Sequence, residues 1–497
     1  MEYSSTRNSD VSILSAEAIS RGISADGGLF VPQTAPWLSY SEIEKLSGSD
    51  YVTRAADILG RFLTDFTPGE LMECVTRAYT RDKFETDSIA PLYEIEKGAY
   101  MLELWHGPTC AFKDMALQLL PHLMTAARRK TGETGTVVIL VATSGDTGKA
   151  ALEGFRDVEG TRVIVFYPED GVSPMQKLQM TTQRGANVTV CAIQGNFDDA
   201  QTGVKAVFTD PEMNGRLREA GMAFSSANSI NWGRLVPQIV YYVSAYCDLV
   251  KNERISCGEH VNIVVPTGNF GNILAAYYAK KMGIPVKRLI CASNRNNVLT
   301  DFLRTGVYDR NRPFYTTISP SMDILVSSNL ERLLYDLTGC DAERVAGLME
   351  QLRTTGRYEV DETVRRSLGE LFWAGSCDDD ATRAVIRDIF RDRSYICDPH
   401  TAVAVDVWQQ YRRETGDETK TIIASTASPF KFASDVLEAI EGARPAGQGR
   451  ELLDRLGGLM MTQPPRQLSE LFELPVRFEA ACPRDGVAQA VAGALGL

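Results

Sequence analysis

Residues 261–272 read VNIVVPTGNFGN. The first six are almost continuously apolar, without the alternation of a half-exposed strand, which predicts a strand buried on both faces. The chain then turns through Thr267-Gly268-Asn269-Phe270-Gly271-Asn272 and runs directly into the helix-like NILAAYYAKKMG. A buried strand feeding a helix through a short glycine turn is half of a βαβ unit. Glycines let backbone N–H groups converge, and the helix N-terminus adds positive potential, so the turn suits a phosphate. A plain tight turn would use the same glycines, and both readings stand at this point.

The same alternation extends outward in both directions. TVVILVA (136–142), TRVIVFY (161–167), NVTVCAI (187–193), VKRLICAS (286–293) and TIIAST (421–426) are short Val/Ile-rich runs, most of them followed by helix-length amphipathic segments. Such a pattern predicts an open α/β architecture with parallel strands, and ligands at their carboxyl ends. Residues 1–92 read as a mostly helical N-terminal region (YSEIEKLSG, YVTRAADILGRFL, PGELMECVTRAYT). Residues 93–442 read as the α/β region, interrupted by a charged helical insertion at about 320–395. Residues 443–497 form a C-terminal extension in which PVRFEAA (475–481) is a candidate last strand.

At 497 residues the chain is too long for one simple core. A net charge of −12 argues against nucleic acid or an anionic membrane as the main partner, yet leaves room for a locally positive pocket. The opening MEYSSTRNSD has no apolar signal core, and no apolar run approaches membrane-spanning length. Ten cysteines without a CxxC pair fit a reducing compartment, so a cytoplasmic protein is expected. Four histidines, none at metal-ligand spacing, give no expectation of a metal site.

A second strand-to-helix junction, TSGDTGKAALEGF (143–155), gathers the hydroxyls of Thr143, Ser144 and Thr147 around Gly145 and Gly148. It suits another anion, whereas a merely capped turn would need one hydroxyl. Neither junction carries a nucleotide motif. The position six before Lys149 is Thr143 and Ala150 follows it, so the P-loop test fails; TGNFGN lacks the first glycine pair of GxGxxG. A third stretch, SSANSINWGRL (225–235), offers Asn228, Ser229 and Arg234. Arg234 could clamp an anion, although alone it reads as a solvated helix charge. Finally, HGPTCAFKD (106–114) sets Lys113 just after a Gly-Pro-Thr turn. A lysine beside a phosphate loop can bind pyridoxal phosphate, condensing with its aldehyde while the glycines hold its phosphate.

HGPTCAFKD strongly resembles the cofactor-lysine segment of threonine synthases, pyridoxal-phosphate enzymes of fold type II in the tryptophan synthase β-like group. EAISRGISADGGLFVPQ (17–33), TSGDTGKAALEGF (143–155), SPMQKLQMTTQRGANVTVCAIQGNFDDAQ (173–201), SSANSINWGRLVPQIVYY (225–242), PTGNFGN (266–272), DPHTAVAV (398–405) and STASPFKF (425–432) resemble further segments of that family, in its order. The resemblance implies two open parallel-sheet lobes with helices on both faces. It implies Lys113 as the cofactor-bearing lysine, Gly268, Asn269, Phe270, Gly271 and Asn272 around the cofactor phosphate, and Thr426 on the pyridine nitrogen. Thr143, Ser144, Gly145 and Thr147 would line the substrate's amino-acid end, with Asp146 near the cofactor's 3′-hydroxyl. Asn228, Ser229 and Arg234 would receive the substrate phosphate, which reverses the reading of Arg234 as a solvated charge. Cys110, Ser428 and Phe430 depart from the family pattern without removing a reacting group.

The implied reaction turns O-phospho-L-homoserine and water into L-threonine and phosphate, in a monomer or homodimer without nucleic-acid or membrane partners. Phospho-lyases or dehydratases of the same fold share these motifs, and a non-catalytic cofactor-binding relative is the other alternative.

Overall fold

The computed structural model describes residues 1–497 apart from Ser144, Asp170 and Gly171, with no side-chain description for Phe197 and Asp198. Two sheets organise it. Across the larger, the order is Phe372–Ser376, Val286–Ser293, Val261–Pro266, Thr421–Ser425, Ala99–Glu103 and Leu92–Glu96. Every neighbouring pair is parallel except the last, a hairpin at the edge. The smaller runs Ala481–Cys482, Val188–Ile193, Thr161–Pro168, Thr136–Ala142 and Met222–Ser225, all parallel. The protein is thus an α/β fold of two open parallel lobes. Val261–Pro266 is buried at every residue, as a strand covered by helices on both faces must be.

The Trp232–Lys251 helix runs through the middle, buried along nearly its whole length. Trp232, at its start, packs against the rings of Tyr3, Phe62 and Tyr278 at 5.5, 5.8 and 5.3 Å between centroids. That cluster anchors the N-terminal region to the α/β core, and edge-on aromatic contacts of this kind add to the apolar burial. The buried Glu331 carboxylate strengthens the join, accepting from Arg7 at 2.8 and 2.7 Å and from the Thr6 hydroxyl.

Three expectations about local structure need correction. The first ninety residues do not begin with helix: Glu2–Ser5, Asn8–Leu14 and Phe30–Pro32 form a three-stranded antiparallel sheet. Its middle segment, NSDVSIL, is an edge strand, largely exposed and mostly polar, so it carries no apolar run to mark it. The helical insertion contributes a strand, Phe372–Ser376, to the large sheet. FWAGS follows the Glu362–Leu371 helix without a turn, so no punctuation separates the two in sequence. Of PVRFEAA only Ala481 is strand, within the two-residue Ala481–Cys482. The Met222–Ser225 strand was too short to show in the sequence pattern. Among the described residues, no helix is long and apolar enough to cross a membrane.

Candidate active site

The carboxyl ends of four strands meet between the two lobes. Ala99–Glu103 leads to Lys113, Thr136–Ala142 to Asp146, Val261–Pro266 to the glycine turn, and Thr421–Ser425 to Thr426. The lysine segment is built first by Gly107. A Cβ there would lie 2.6 Å from the Asp114 side chain, so only glycine lets that carboxylate fold back over the turn. Asp114 then accepts from the Thr109 N–H and hydroxyl, both at 2.8 Å. On the other side the Phe112 N–H donates to the Thr426 carbonyl (2.8 Å), and the Ser428 N–H to the Cys110 carbonyl (3.0 Å). Lys113 therefore starts the Asp114–Leu117 helix from a backbone held at both ends.

The Lys113 side chain is only 12% exposed, with Nζ 3.8 Å from Asp146 Oδ2 and donating to Ser321 Oγ at 3.3 Å. Burial pulls its pKa down to about 8, against the attraction of Asp146 and with the help of the Lys431 and Arg234 charges. Asp146 is nearly buried and holds three partners. Lys431 Nζ lies 2.6 Å from Oδ1, Gln176 Nε2 donates to the same oxygen at 3.0 Å, and Ser321 Oγ donates to Oδ2 at 3.2 Å. Burial alone would raise this carboxyl, but the Lys431 and Lys113 charges and these hydrogen bonds hold it well below the usual carboxylate range.

In the glycine turn Phe270 takes the left-handed conformation, φ 61°, before the Gly271–Lys281 helix. The turn's carbonyls are satisfied from one side: Ser327 Oγ donates to Gly268 O (2.8 Å), and Asn329 N–H and Nδ2 to Asn269 O (3.2 and 3.0 Å). The N–H groups of Gly268, Asn269 and Phe270 find no acceptor among the described residues. Asn272 is buried with its Oδ1 accepting from Tyr241 (2.7 Å) and Tyr242, which leaves its Nδ2 without a partner. Unpaired N–H donors at a helix N-terminus, with the buried Asn272 Nδ2 beside them, form a cradle for a phosphate that is open on the Asn269 side. A Cβ at Gly268 would sit 2.7 Å from the Ser321 carbonyl. Gly268→Ala must therefore displace backbone, and we expect apoprotein titrated with pyridoxal phosphate to bind it at least about fivefold more weakly, from about 1–3 kcal/mol of overpacking.

Arg234 lies on the first turn of the central helix and is 3% exposed. Its Nη1 donates to the Ala227 carbonyl at 2.7 Å, its Nε has no partner, and no carboxylate pairs with it among the described residues. Burial lowers its pKa to about 10. The solvated helix charge suggested by its position alone is not what forms. Asn228 and Ser229 are half-buried beside it, and Ser229 Cβ lies 3.8 Å from where a Cβ on Gly271 would be. The Asn228-Ser229 loop thus abuts the glycine turn.

Around residue 145 the roles divide. The Thr143 hydroxyl accepts from the Gly145 and Gly148 N–H groups at 3.0 and 2.9 Å, so its oxygen builds its own loop while its O–H can still donate. Gly145 has φ 135° with the Gln176 side chain 2.3 Å from any added Cβ, and no other residue fits. Thr147 is partly exposed at the mouth of the loop; Ser144 lies outside the described residues. Thr426 is buried, its N–H donating to Thr401 Oγ1 at 3.3 Å.

Four contributors were missed from the sequence. Gln176, Lys431 and the Asp398–His400 pair sit inside the motifs quoted above, where the family resemblance drew attention to other residues. Ser321 sits in the helical segment, in no motif. His400 Nδ1 is 2.6 Å from Asp398 Oδ2, and its Nε2 accepts from the Ser321 N–H at 3.1 Å. That bond fixes the turn from which Ser321 reaches both Lys113 and Asp146.

A buried lysine of lowered basicity, a cradle of free N–H donors and a neutral hydroxyl at Thr426 suit pyridoxal phosphate. Residues 89–426 match the family described as pyridoxal-phosphate dependent enzyme, which sets the class. Residues 2–79 match the threonine synthase N terminus, and residues 401–491 the threonine synthase C-terminal family. The threonine synthase of Pseudomonas aeruginosa is 38% identical over 449 residues, covering 90% of this chain and 92% of that protein. The crystal structure of pyridoxal-phosphate-bound threonine synthase from Brucella melitensis superposes with a TM-score of 0.86 at 36% identity, covering 99% of this chain and 98% of that one. The chain belongs to the threonine synthase family of fold type II enzymes, and its cofactor is pyridoxal phosphate. Human threonine synthase-like 1 is 43% identical over 436 residues, 86% of this chain, but the chain spans only 58% of that protein's length.

Proposed function

We propose that the protein converts O-phospho-L-homoserine and water to L-threonine and inorganic phosphate. The observation that supports this most is Arg234. A buried guanidinium with a free Nε and no carboxylate partner among the described residues is costly unless an anion completes it, and a phosphate fits its planar donor face.

Bound at Lys113, the cofactor supplies an electron sink for negative charge developed at the substrate Cα. The residues do the rest. Lys113, with its lowered basicity, takes the Cα proton and returns a proton further along the carbon chain. Arg234 with Asn228 and Ser229 holds the substrate phosphate and receives it as it leaves. Thr147 and the start of the Asp146–Gly154 helix would line the substrate's amino-acid end, and the Thr426 hydroxyl would meet the ring nitrogen as a neutral partner. Closure of the lobes would keep water out until elimination is complete and Cβ is ready to accept it. On this reading the enzyme acts alone or as a homodimer in the cytoplasm.

A second reading, a phospho-lyase acting on a related phosphorylated amino acid, has one support: the relatives at 42–43% identity are named threonine synthase-like 1, while those named threonine synthase stand at 36–38%. The test is phosphate release from cofactor-loaded protein given O-phospho-L-homoserine, with the amino-acid products identified. Threonine and phosphate in equal amounts are expected. Phosphate with 2-oxobutyrate and ammonia, or turnover of phosphothreonine alone, would replace the proposal with the lyase.

The lysine also sets a pH dependence. Its amine reacts with the cofactor only when unprotonated, and its pKa is lowered from 10.5 to about 8. The rate of cofactor uptake by apoprotein is therefore expected to rise with pH and level off above about 8. Stopped-flow absorbance showing a rise that continues to the pKa of free lysine would contradict this.

A further inference from the structure

We propose that Lys431 is a positioning residue for Lys113: by taking Asp146 Oδ1 into a buried ion pair, it denies the reacting lysine a tight counter-ion. The inference rests on the reading above only in treating Lys113 as the reacting lysine.

The Lys431 side chain is fully buried in the Pro429–Phe432 turn. Its Nζ lies 2.6 Å from Asp146 Oδ1 and donates to the Thr109 carbonyl at 3.0 Å. Gln176 occupies the same carboxylate oxygen at 3.0 Å. Lys113 is left with Oδ2 at 3.8 Å, and that oxygen already accepts from Ser321. At 3.8 Å there is attraction but no hydrogen bond. One carboxylate is thus shared unequally between two lysines, the nearer of which is not the one that reacts.

The other groups around Lys113 do not restore the balance. Arg234 faces it from the central helix and adds positive charge. Asp114, on its own segment, is turned back onto Thr109. Behind Ser321, His400 is engaged by Asp398 and by the Ser321 N–H. Two lysines therefore share one carboxylate while the Arg234 charge also acts on Lys113, so positive charge outweighs negative around Lys113 until anionic ligands enter. Lys113 can then lose its proton without leaving Asp146 unpaired, because Lys431 and Gln176 keep that carboxylate fixed. The lowered basicity of Lys113 agrees with this arrangement.

The test reads the lysine itself. Full-length apoprotein is labelled competitively with acetic anhydride from neutral to alkaline pH, and the Lys113 peptide is quantified by mass spectrometry. In Lys431→Met, Asp146 becomes free to pair with Lys113, and the labelling midpoint should move up by about one unit or more. Cofactor uptake at neutral pH should slow about tenfold, the factor that one unit implies, and recover when the pH is raised. Lys431→Arg keeps the ion pair and should leave the midpoint in place. A purely structural lysine would cost folded protein without moving the midpoint. A folded Lys431→Met protein with an unmoved or lowered midpoint overturns the proposal. Should that variant fail to fold, wild type and Lys431→Arg decide: a Lys113 midpoint near that of free lysine, about 10.4, also overturns it. None of these readings depends on turnover, so failure of the proposed reaction would show separately, in the phosphate and threonine measurements.

Discussion

Lys113→Ala protein given pyridoxal phosphate is expected to lack the visible absorption band of a lysine-bound cofactor, and to lose about 1,000-fold or more in kcat on O-phospho-L-homoserine. The change removes the covalent attachment and the proton carrier together, so the loss should fall at or beyond the upper part of what a single acid–base group contributes. The fold should survive it. Among the described residues the Lys113 side-chain nitrogen has Ser321 and Asp146 as its polar contacts, and Asp146 keeps Lys431 and Gln176. An unchanged melting temperature beside lost colour and activity is the expected combination. Activity within tenfold of wild type would mean that another group does the chemistry.

The second large effect separates binding from stability. Arg234→Met should lower kcat/KM for the phosphorylated substrate by at least about 30-fold, since truncating one side of a buried charge pair costs about 2–5 kcal/mol. Without ligand, the same change removes a buried cation that has no counter-ion among the described residues and replaces it with an apolar chain of similar length. The free protein should then melt at the same temperature or higher. Phosphate should raise the melting temperature of wild type and not of the variant. An arginine that merely braced the fold would give the opposite: a destabilised protein with near-normal KM.

How far the sequence carried this varies from element to element. VNIVVP could be read as strand because its apolar run, broken only by Asn262, is short, rich in β-branched residues and ended by a glycine turn. The turn after it was legible as a glycine turn, but what requires glycine at 268 is the Ser321 carbonyl, 2.7 Å from an added Cβ, and the left-handed residue is Phe270. Arg234 was legible only through resemblance, since burial of a long charged side chain depends on helices distant in sequence. Lys431 illustrates the harder case. It stands in SPFKF, a segment read for other residues, and nothing local tells a buried ion-paired lysine from a surface one. Ser321 is harder still, because its importance comes from a carbonyl and a hydroxyl brought against Gly268, Lys113 and Asp146 by a turn more than fifty residues further along the chain than the glycine loop. Thr143 shows a second duty that was not foreseen: its hydroxyl oxygen accepts from two N–H groups of its own loop, leaving its O–H able to donate.

The strand order has a consequence for how the molecule is made. The Ala99–Glu103 strand, which leads to the lysine, gains its parallel neighbour only at Thr421–Ser425, and Val188–Ile193 is joined at its edge by Ala481–Cys482. At ribosomal speeds of about 5–20 residues per second, the first of these partners emerges roughly 16 to 64 seconds after the strand it pairs with. Until then the nascent chain carries an apolar strand with an open edge and no completed cofactor pocket. The cofactor can therefore act only as a late ligand, entering a nearly finished chain, and the early strands depend on chaperones or on transient local helix packing to stay soluble while they wait.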